Sequence, residues 1–341
     1  MVVPVDYGDI LKVIIDYYRP NECTIDNISI IENIQTWKPT GSSVSILQGP
    51  LYPSDVSLEK WNFRVPVNIL CHAKNREDVF AVANEITRAF DQYTYNKYKT
   101  ITVTEDTTYV DGIVRYTTAS GELPAPNPTT YDPDYSWLNN PYTGSDALLG
   151  VLFYNSKFNR LDGFIRFLCT GLSYYRPYFS IYSGVLKIYN NGKLGDPITR
   201  VHCIPNCNNP FTTLENCQQS RTTSYVTMSS WESDPYTSFF ITSPLQEAFQ
   251  SIQTDSAYIG IAFMDNSTSD CCIAIYRRGN TYDTSKLPQL TITFQPDATQ
   301  YPFPSKIYTR RVGQPMQVEN AGWEILVNIE MIYYGIEKGI T

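Results

Sequence analysis

The sequence predicts an α+β fold, a small mixed sheet flanked by helices, interrupted by an inserted all-β sandwich of jelly-roll type. Three observations lead there. The closing stretch GWEILVNIEMIYYG sets Trp323, Ile325, Val327, Ile329 and Met331 at every second position, the pattern of a strand with one buried face. Far upstream, WNFRVPVNILCHA repeats that alternation with Trp61, Phe63, Val65, Val67, Ile69 and Cys71. Between the two lies a run of short β-like segments bounded on each side by proline-rich chain.

The first element is a helix over VDYGDILKVIIDYYRP. Asp6 caps it, Asp9 sits near the positive end of its dipole, Ile10, Val13, Ile14 and Tyr17 recur at helical spacing, and Pro20 ends it. Strands are expected at SVSILQG (43–49) and 61–73, the second interrupted at Pro66, which has no N–H to donate and marks an edge strand or a bulge. A second helix follows in KNREDVFAVANEITRAFDQY. Asn75 caps it with Asp78 three residues on, and Val79, Val82, Ala83, Ile86, Ala89 and Phe90 form its apolar stripe. TITVTE (100–105) and IVRYTT (113–118) read as further strands of the same domain.

The texture then changes. Segment 121–141 carries five prolines and segment 295–305 carries three, so both read as linkers. Between them come ALLGVLFY, DGFIRFLC, SGVLKIYNNG, ITRVHCI, SYVTMSSW, YIGIAFM, CCIAIYRR and LPQLTITF, short strands at the spacing of a two-sheet sandwich, with ITSPLQEAFQSI (241–252) as the one helical stretch. The resulting division is a discontinuous α/β domain, 1–120 plus 306–341, around an inserted sandwich, 142–294. A continuous reading would leave 306–341 too short to bury its own alternating face, because an isolated hairpin is marginal in water.

Composition narrows the function classes. With 341 residues, 42% of them apolar and 18% charged, the chain has material for two ordered cores. The net charge is −8, split evenly between the outer portion and the rest, and the longest basic runs are pairs such as Arg277-Arg278 and Arg310-Arg311. A nucleic-acid backbone is therefore not an expected partner. No apolar run reaches the roughly 20 residues of a membrane span, and the opening MVVPVDYGDILK lacks signal-peptide features, so a cytosolic product with reduced thiols is expected.

Catalytic material is sparse. The only histidines are His72, expected as a solvated strand-end residue, and His202, and no nucleophile elbow, phosphate loop or dinucleotide fingerprint occurs. His202, Cys203, Cys207 and Cys217 are zinc-ligand types at poor spacing, and buried or loop thiols are the reading preferred. Asp132 with Asp134, and Asp265 with Asp270, are acidic loop pairs better explained as turn formers than as calcium ligands. No catalytic residue, metal or cofactor is assigned. Aromatics supply the candidate binding residues: Tyr174, Tyr175 and Tyr178 in LSYYRPYFSIY and Trp231 in MSSWESDPY, as sugar-stacking or interface side chains, with core packing as the competing reading.

Two resemblances follow from these elements. The outer portion, with DILKVIIDYY, WNFRVPVNILCHA, EDVFAVANEITRAFDQY and the late W-x-I-x-V-x-I-x-M strand in that order, resembles the tail terminator proteins of long-tailed bacteriophages. That resemblance implies a hexameric ring at the head-tail junction, meeting the tail tube protein and the head-proximal connector in a virion assembled in the host cytoplasm. The middle portion is similar to carbohydrate-binding-module-like β-sandwiches in FIRF, SGVLKIY, Trp231, ITSPLQEAFQSI with AYIGIAFM, and IAIYRRGNTYDTSKLPQLTITF. Together they imply a non-enzymatic virion component decorated by a sandwich. The alternative is a sugar-binding or adhesion protein that recognises surface glycans through the sandwich, and a polysaccharide-cleaving enzyme is a third possibility.

Overall fold

A computed structural model describes residues 7–18, 23–31, 41–48, 52–56, 60–93, 99–104, 112–117, 122–126, 136–139, 146–154, 156–169, 172, 176, 178–209, 211, 217, 219–232, 236–253, 258–276, 284–297, 303–318 and 322–337. The chain is α+β and divides into two units, 1–99 with 296–341, and 100–295.

In the first unit the helical periodicities materialise as α1 (Tyr7–Tyr18) and α2 (Arg76–Gln92). Asn75 caps α2, its side-chain oxygen accepting from the Asp78 N–H at 2.8 Å, and all six residues of the expected stripe are buried. Helix α1 buries Leu11, Ile15 and Tyr18 as well as the expected Ile10, Val13, Ile14 and Tyr17, because it packs on α2 as well as on the sheet. Asp6 and Pro20 lie outside the described residues.

The sheet runs Asn27–Ile30, Ser43–Gln48, Lys60–Ala73, Gly322–Glu337, Lys306–Val312, with the first pair parallel and the others antiparallel. Its centre is the pairing of Lys60–Ala73 with Gly322–Glu337, in register from Trp323 opposite Ala73 to Met331 opposite Val65. One shared face buries Val65, Val67, Ile69 and Cys71 beside Ile325, Val327, Ile329 and Met331, and α2 packs on both strands. The Trp61 and Phe63 side chains lie outside the described residues. Gly322 opens the closing strand at φ +107, where an added Cβ would stand 2.5 Å from the Ala73 carbonyl oxygen, so only glycine fits this start.

Two expectations are corrected here. Pro66 is on neither an edge nor a bulge: its strand is central, and it faces Glu330 on one side. On the other side the partners change, with Val67 opposite Gln48 and Arg64 opposite Tyr52, so Pro66 falls at a break in the neighbouring ladder. His72 is not solvated either. It is 2% exposed, between Ser43 and Glu324 on flanking strands.

The second unit takes in residues expected elsewhere. Strand Lys99–Thr104 joins Gln289–Pro296, and the Thr100 and Thr102 hydroxyls meet those of Thr293 and Thr291 at 3.0 Å. Gly112–Thr117 pairs with Lys157–Leu168. The boundary drawn after residue 120 therefore moves to about 99, since alternation in 100–118 identifies strands but not their partners. The proposed linkers shrink likewise. Within 121–141, Ser136–Asn139 pairs with Gly112–Thr117, because no proline interrupts it, and Pro124 is buried with its carbonyl accepting from Arg160 Nε at 2.9 Å. Within 295–305, Phe303 is buried and the Ser305 N–H donates to the Ile332 carbonyl at 2.7 Å, in the first unit's sheet.

All eight expected strands of the middle portion form, as does the expected helix, α3 (Thr242–Ser251). Among the described residues the hydrogen bonding is continuous through twelve strands, and two long strands change partners along their length. Phe179–Leu194 pairs with Tyr236–Phe240 through Val185–Tyr189, then shifts register between Asn190 and Gly192 and continues with Cys271–Tyr276. Lys157–Leu168 pairs with Asp146–Tyr154 up to Leu161, and with Tyr258–Asp265 from Gly163 onward.

At that fork, around Asp162, sits a buried polar cluster. Arg160 and Asp265, each 1% exposed, form an ion pair. Arg160 also donates to the carbonyls of Asp265 at 3.1 Å and Ser267 at 2.9 Å, while Asp162 accepts the Asp265 N–H at 2.7 Å. The cluster thus satisfies backbone groups where one ladder gives way to another. Gly163 beside it has no room for a Cβ, which would overlap the Leu149 side chain. Elsewhere in this unit, Glu247 of α3 accepts from the backbone and hydroxyls of Thr223 and Ser224 at 2.5–2.9 Å.

Three outcomes are expected. Replacing 100–295 by a short Gly-Ser turn leaves a folded first unit, because the chain on the two sides is held together by Tyr93, whose hydroxyl donates to the Pro304 carbonyl, and loop closure costs only the logarithm of length. Truncation after 305 unfolds it, since Ile325 to Met331 go with the strand; circular dichroism of the two proteins reads the difference. Hydrogen bonds, led by the Ser224 hydroxyl, hold Glu247 down to about 2, so its stabilisation is present above the unfolded carboxylate pKa and is lost as pH falls through the folded value. Thermal melts from pH 5 to 2 should show a shallower decline for Glu247→Gln than for the parent.

Candidate functional site

The aromatic residues singled out by the sequence do not assemble into one site. Trp231 is 1% exposed, its Nε1 donates to the Pro197 carbonyl at 2.9 Å, and its ring stands edge-on to Phe239 at 5.2 Å. It is a core residue with its polar atom satisfied, so it can neither stack on a sugar nor meet a partner from this position. Tyr178 is half-buried just before Phe179–Leu194, and Tyr174 and Tyr175 lie outside the described residues.

The polar clusters resolve into structural roles. His202 Nδ1 lies 2.9 Å from the Thr222 carbonyl oxygen, and Cys203 is fully buried. Cys207 and Cys217 pack in an apolar cluster with Phe164, Ile204, Phe211, Ala262 and Met264. Burial pushes the Cys203 and Cys207 thiols up, which disfavours the thiolate a metal would need. Among the described residues no group of three His, Cys, Asp or Glu side chains converges as a metal site would require. Asp265 is committed to Arg160 and Ser267, and Asp270 accepts the Phe153 N–H at 3.1 Å, while Asp132 and Asp134 lie outside the described residues.

Ser43, His72 and Glu324 face one another across three adjacent strands and have the residue types of a hydrolytic triad. Their geometry is that of a buried polar row. Ser43 and His72 are each 2% exposed, and His72 Nδ1 is 3.8 Å from the nearer Glu324 oxygen, beyond hydrogen-bond range. Burial lowers the His72 pKa and raises that of Glu324, shifting each toward its neutral form.

A different surface has the character of a binding face. In the second unit, Tyr236–Phe240, Phe179–Leu194, Gln289–Pro296 and Lys99–Thr104 lie side by side and together contain no aspartate or glutamate, in a chain with 34 of them. Their inward residues, including Leu186, Ile188, Phe239, Leu290 and Ile292, are buried. Facing outward, Tyr189 is paired with Tyr236 and Val185 with Phe240, and Phe240 is 72% exposed. The two tyrosine rings meet edge-on at 5.5 Å. Lys187 holds its ammonium 3.9 Å over the Tyr236 ring and Lys286 holds its own 4.8 Å over Tyr189. Beside them Thr291 and Thr293 join Thr102 and Thr100 in hydroxyl pairs.

Sequence reading missed this face because a lysine or tyrosine at the outward phase of a strand looks like any solvated position. The usable signal was the lack of acidic residues across all four strands.

No family model and no curated protein matches the chain. Among solved structures, the VP2 protein of infectious bursal disease virus, in T=1 particles of its D431N mutant, is 10% identical over 98% of this chain and 85% of that one, with a TM-score of 0.17. Structures of the Gt and Gx strains of the same virus are 10% and 9% identical, covering 98% and 91% of this chain and 88% and 87% of theirs, each with a TM-score of 0.18. At these TM-scores the similarity carries no argument about fold or function.

Proposed function

We propose that the chain is a non-enzymatic structural component of a tailed bacteriophage, a tail terminator forming a ring at the head-tail junction and carrying the second unit as a β-sandwich-like decoration. The observation that carries this reading is the discontinuous first unit, with two helices against one face of a sheet whose central strands come from opposite sides of a long insertion. That element order is what the sequence shares with the tail terminator pattern. The virion, the tail tube protein and the head-proximal connector enter with it as proposed location and partners. The changes of partner along Lys157–Leu168 and Phe179–Leu194 support the sandwich-like description, since strands that pass from one partner to another make the corners of such folds. The engagement of both histidines in structural settings supports a role without acid-base chemistry.

A second reading, sugar binding or adhesion through the second unit, is favoured by the acid-free aromatic face. It is compatible with a virion location, because a decoration on a particle is free to take a ligand. Sedimentation and particle imaging test the first reading. A ring of defined mass that localises to the neck of assembled particles is expected, and a strictly monomeric protein absent from particles would contradict it.

A further inference from the structure

The geometry points to the outward face around Lys187, Tyr189, Tyr236, Phe240 and Lys286 as a site for an anionic glycan, meaning a sugar chain bearing carboxylate or phosphate groups. The assignment rests on the sugar-binding reading and adds the charge of the ligand.

Charge is the first part of the argument. The protein carries a net −8, yet the four strands forming this face contribute lysines and no carboxylate. Ammonium groups on a face whose strands carry no carboxylate attract anions. Lys187 has an aromatic ring for a partner and no carboxylate among the described residues, so its ammonium keeps donor capacity for an incoming anion. Held against Tyr236, that ammonium is also less mobile than a free surface lysine, which lowers the ordering cost of binding.

Shape supplies the second part. Outward residues of neighbouring strands form one broad, shallow surface, and sugar rings have apolar faces and polar edges that such a surface can meet. Phe240, 72% exposed and directly opposite Val185, offers a bare ring for stacking. Tyr236 is different: its ring face is taken by Lys187 and its hydroxyl donates to the Ser285 carbonyl. The tyrosine pair therefore positions the two ammoniums, while Phe240 is the stacking surface. The neighbouring threonine hydroxyls give the face further groups that both donate and accept, as sugar hydroxyls require.

The test uses the full chain on immobilised polygalacturonate, poly(glycerol phosphate) and neutral dextran at low and raised salt. Binding to at least one anionic polymer, weakened by salt and absent on dextran, is expected; carboxylate or phosphate preference distinguishes the two sources of negative charge. The double variant Lys187→Gln, Lys286→Gln should lose about tenfold in affinity or more. Phe240→Ala should weaken binding severalfold, with melting temperatures near that of the parent in both cases. Equal binding of dextran, lost in Phe240→Ala but kept in the lysine variant, would leave sugar binding standing and overturn the charge assignment. Silence on all three polymers would overturn both. Self-association of the parent that the lysine variant abolishes would also overturn the inference, by assigning the face to a second copy of this chain.

Discussion

The pairing of Lys60–Ala73 with Gly322–Glu337 is the constraint on which the first unit depends. Each strand has one apolar face, and neither can bury it alone. Joined in register, they present Val65 to Cys71 and Ile325 to Met331 as one continuous surface for α2. A slip of one residue would turn every one of those side chains away from the helix. The sheet is therefore specified by its burial pattern even though its two central strands are separated by most of the chain. A long insertion between them is tolerable because the closure cost rises slowly with length, whereas the buried face is lost all at once.

The second unit solves another problem, that of changing strand partners without leaving backbone groups unpaired. Its two long strands change partners partway along, at Asp162 and at the Asn190–Gly192 shift. At the first of these the Arg160–Asp265 pair and Asp162 supply the bonds that the ladder omits. Buried charges are costly to bring out of water, and removing one partner of such a pair typically costs about 3–5 kcal/mol. Their presence here follows from the geometry of the fork, where carbonyls of Pro124, Asp265 and Ser267 all need a donor and one guanidinium reaches them. Trp231 and His202 belong to the same economy of satisfied polar atoms, which is why the side chains that look most chemical are structural.

What could be read from the sequence was local. The Asn75 cap, the α2 stripe and the alternation of the two central strands need only period and turn chemistry; the cap and stripe are found as read, and the alternation holds over Val65–Cys71 and Ile325–Met331, with Trp323 half-buried. What could not be read was partnership. Residues 100–104 and 113–117 alternate well enough to be strands, but nothing in them says which sheet they join, and they join the second unit. Pro66 suggested an edge because its missing donor was visible and the break in the facing ladder was not. His72 fell at the polar phase of its strand, yet that end of the sheet is covered on both faces. The candidate site illustrates the same limit: Trp231 was conspicuous by type and is buried, while Lys187 and Phe240 were inconspicuous and face outward.

The central claim is that the closing strand completes the sheet begun by Lys60–Ala73, and native-state hydrogen exchange followed by mass spectrometry tests it most directly. Amides of 65–71 and 325–331 should exchange together, with the same protection and the same response to mild denaturant, as one cooperative opening. Protection of 325–331 that tracks the strands of 146–294, with 65–71 opening independently, would contradict it.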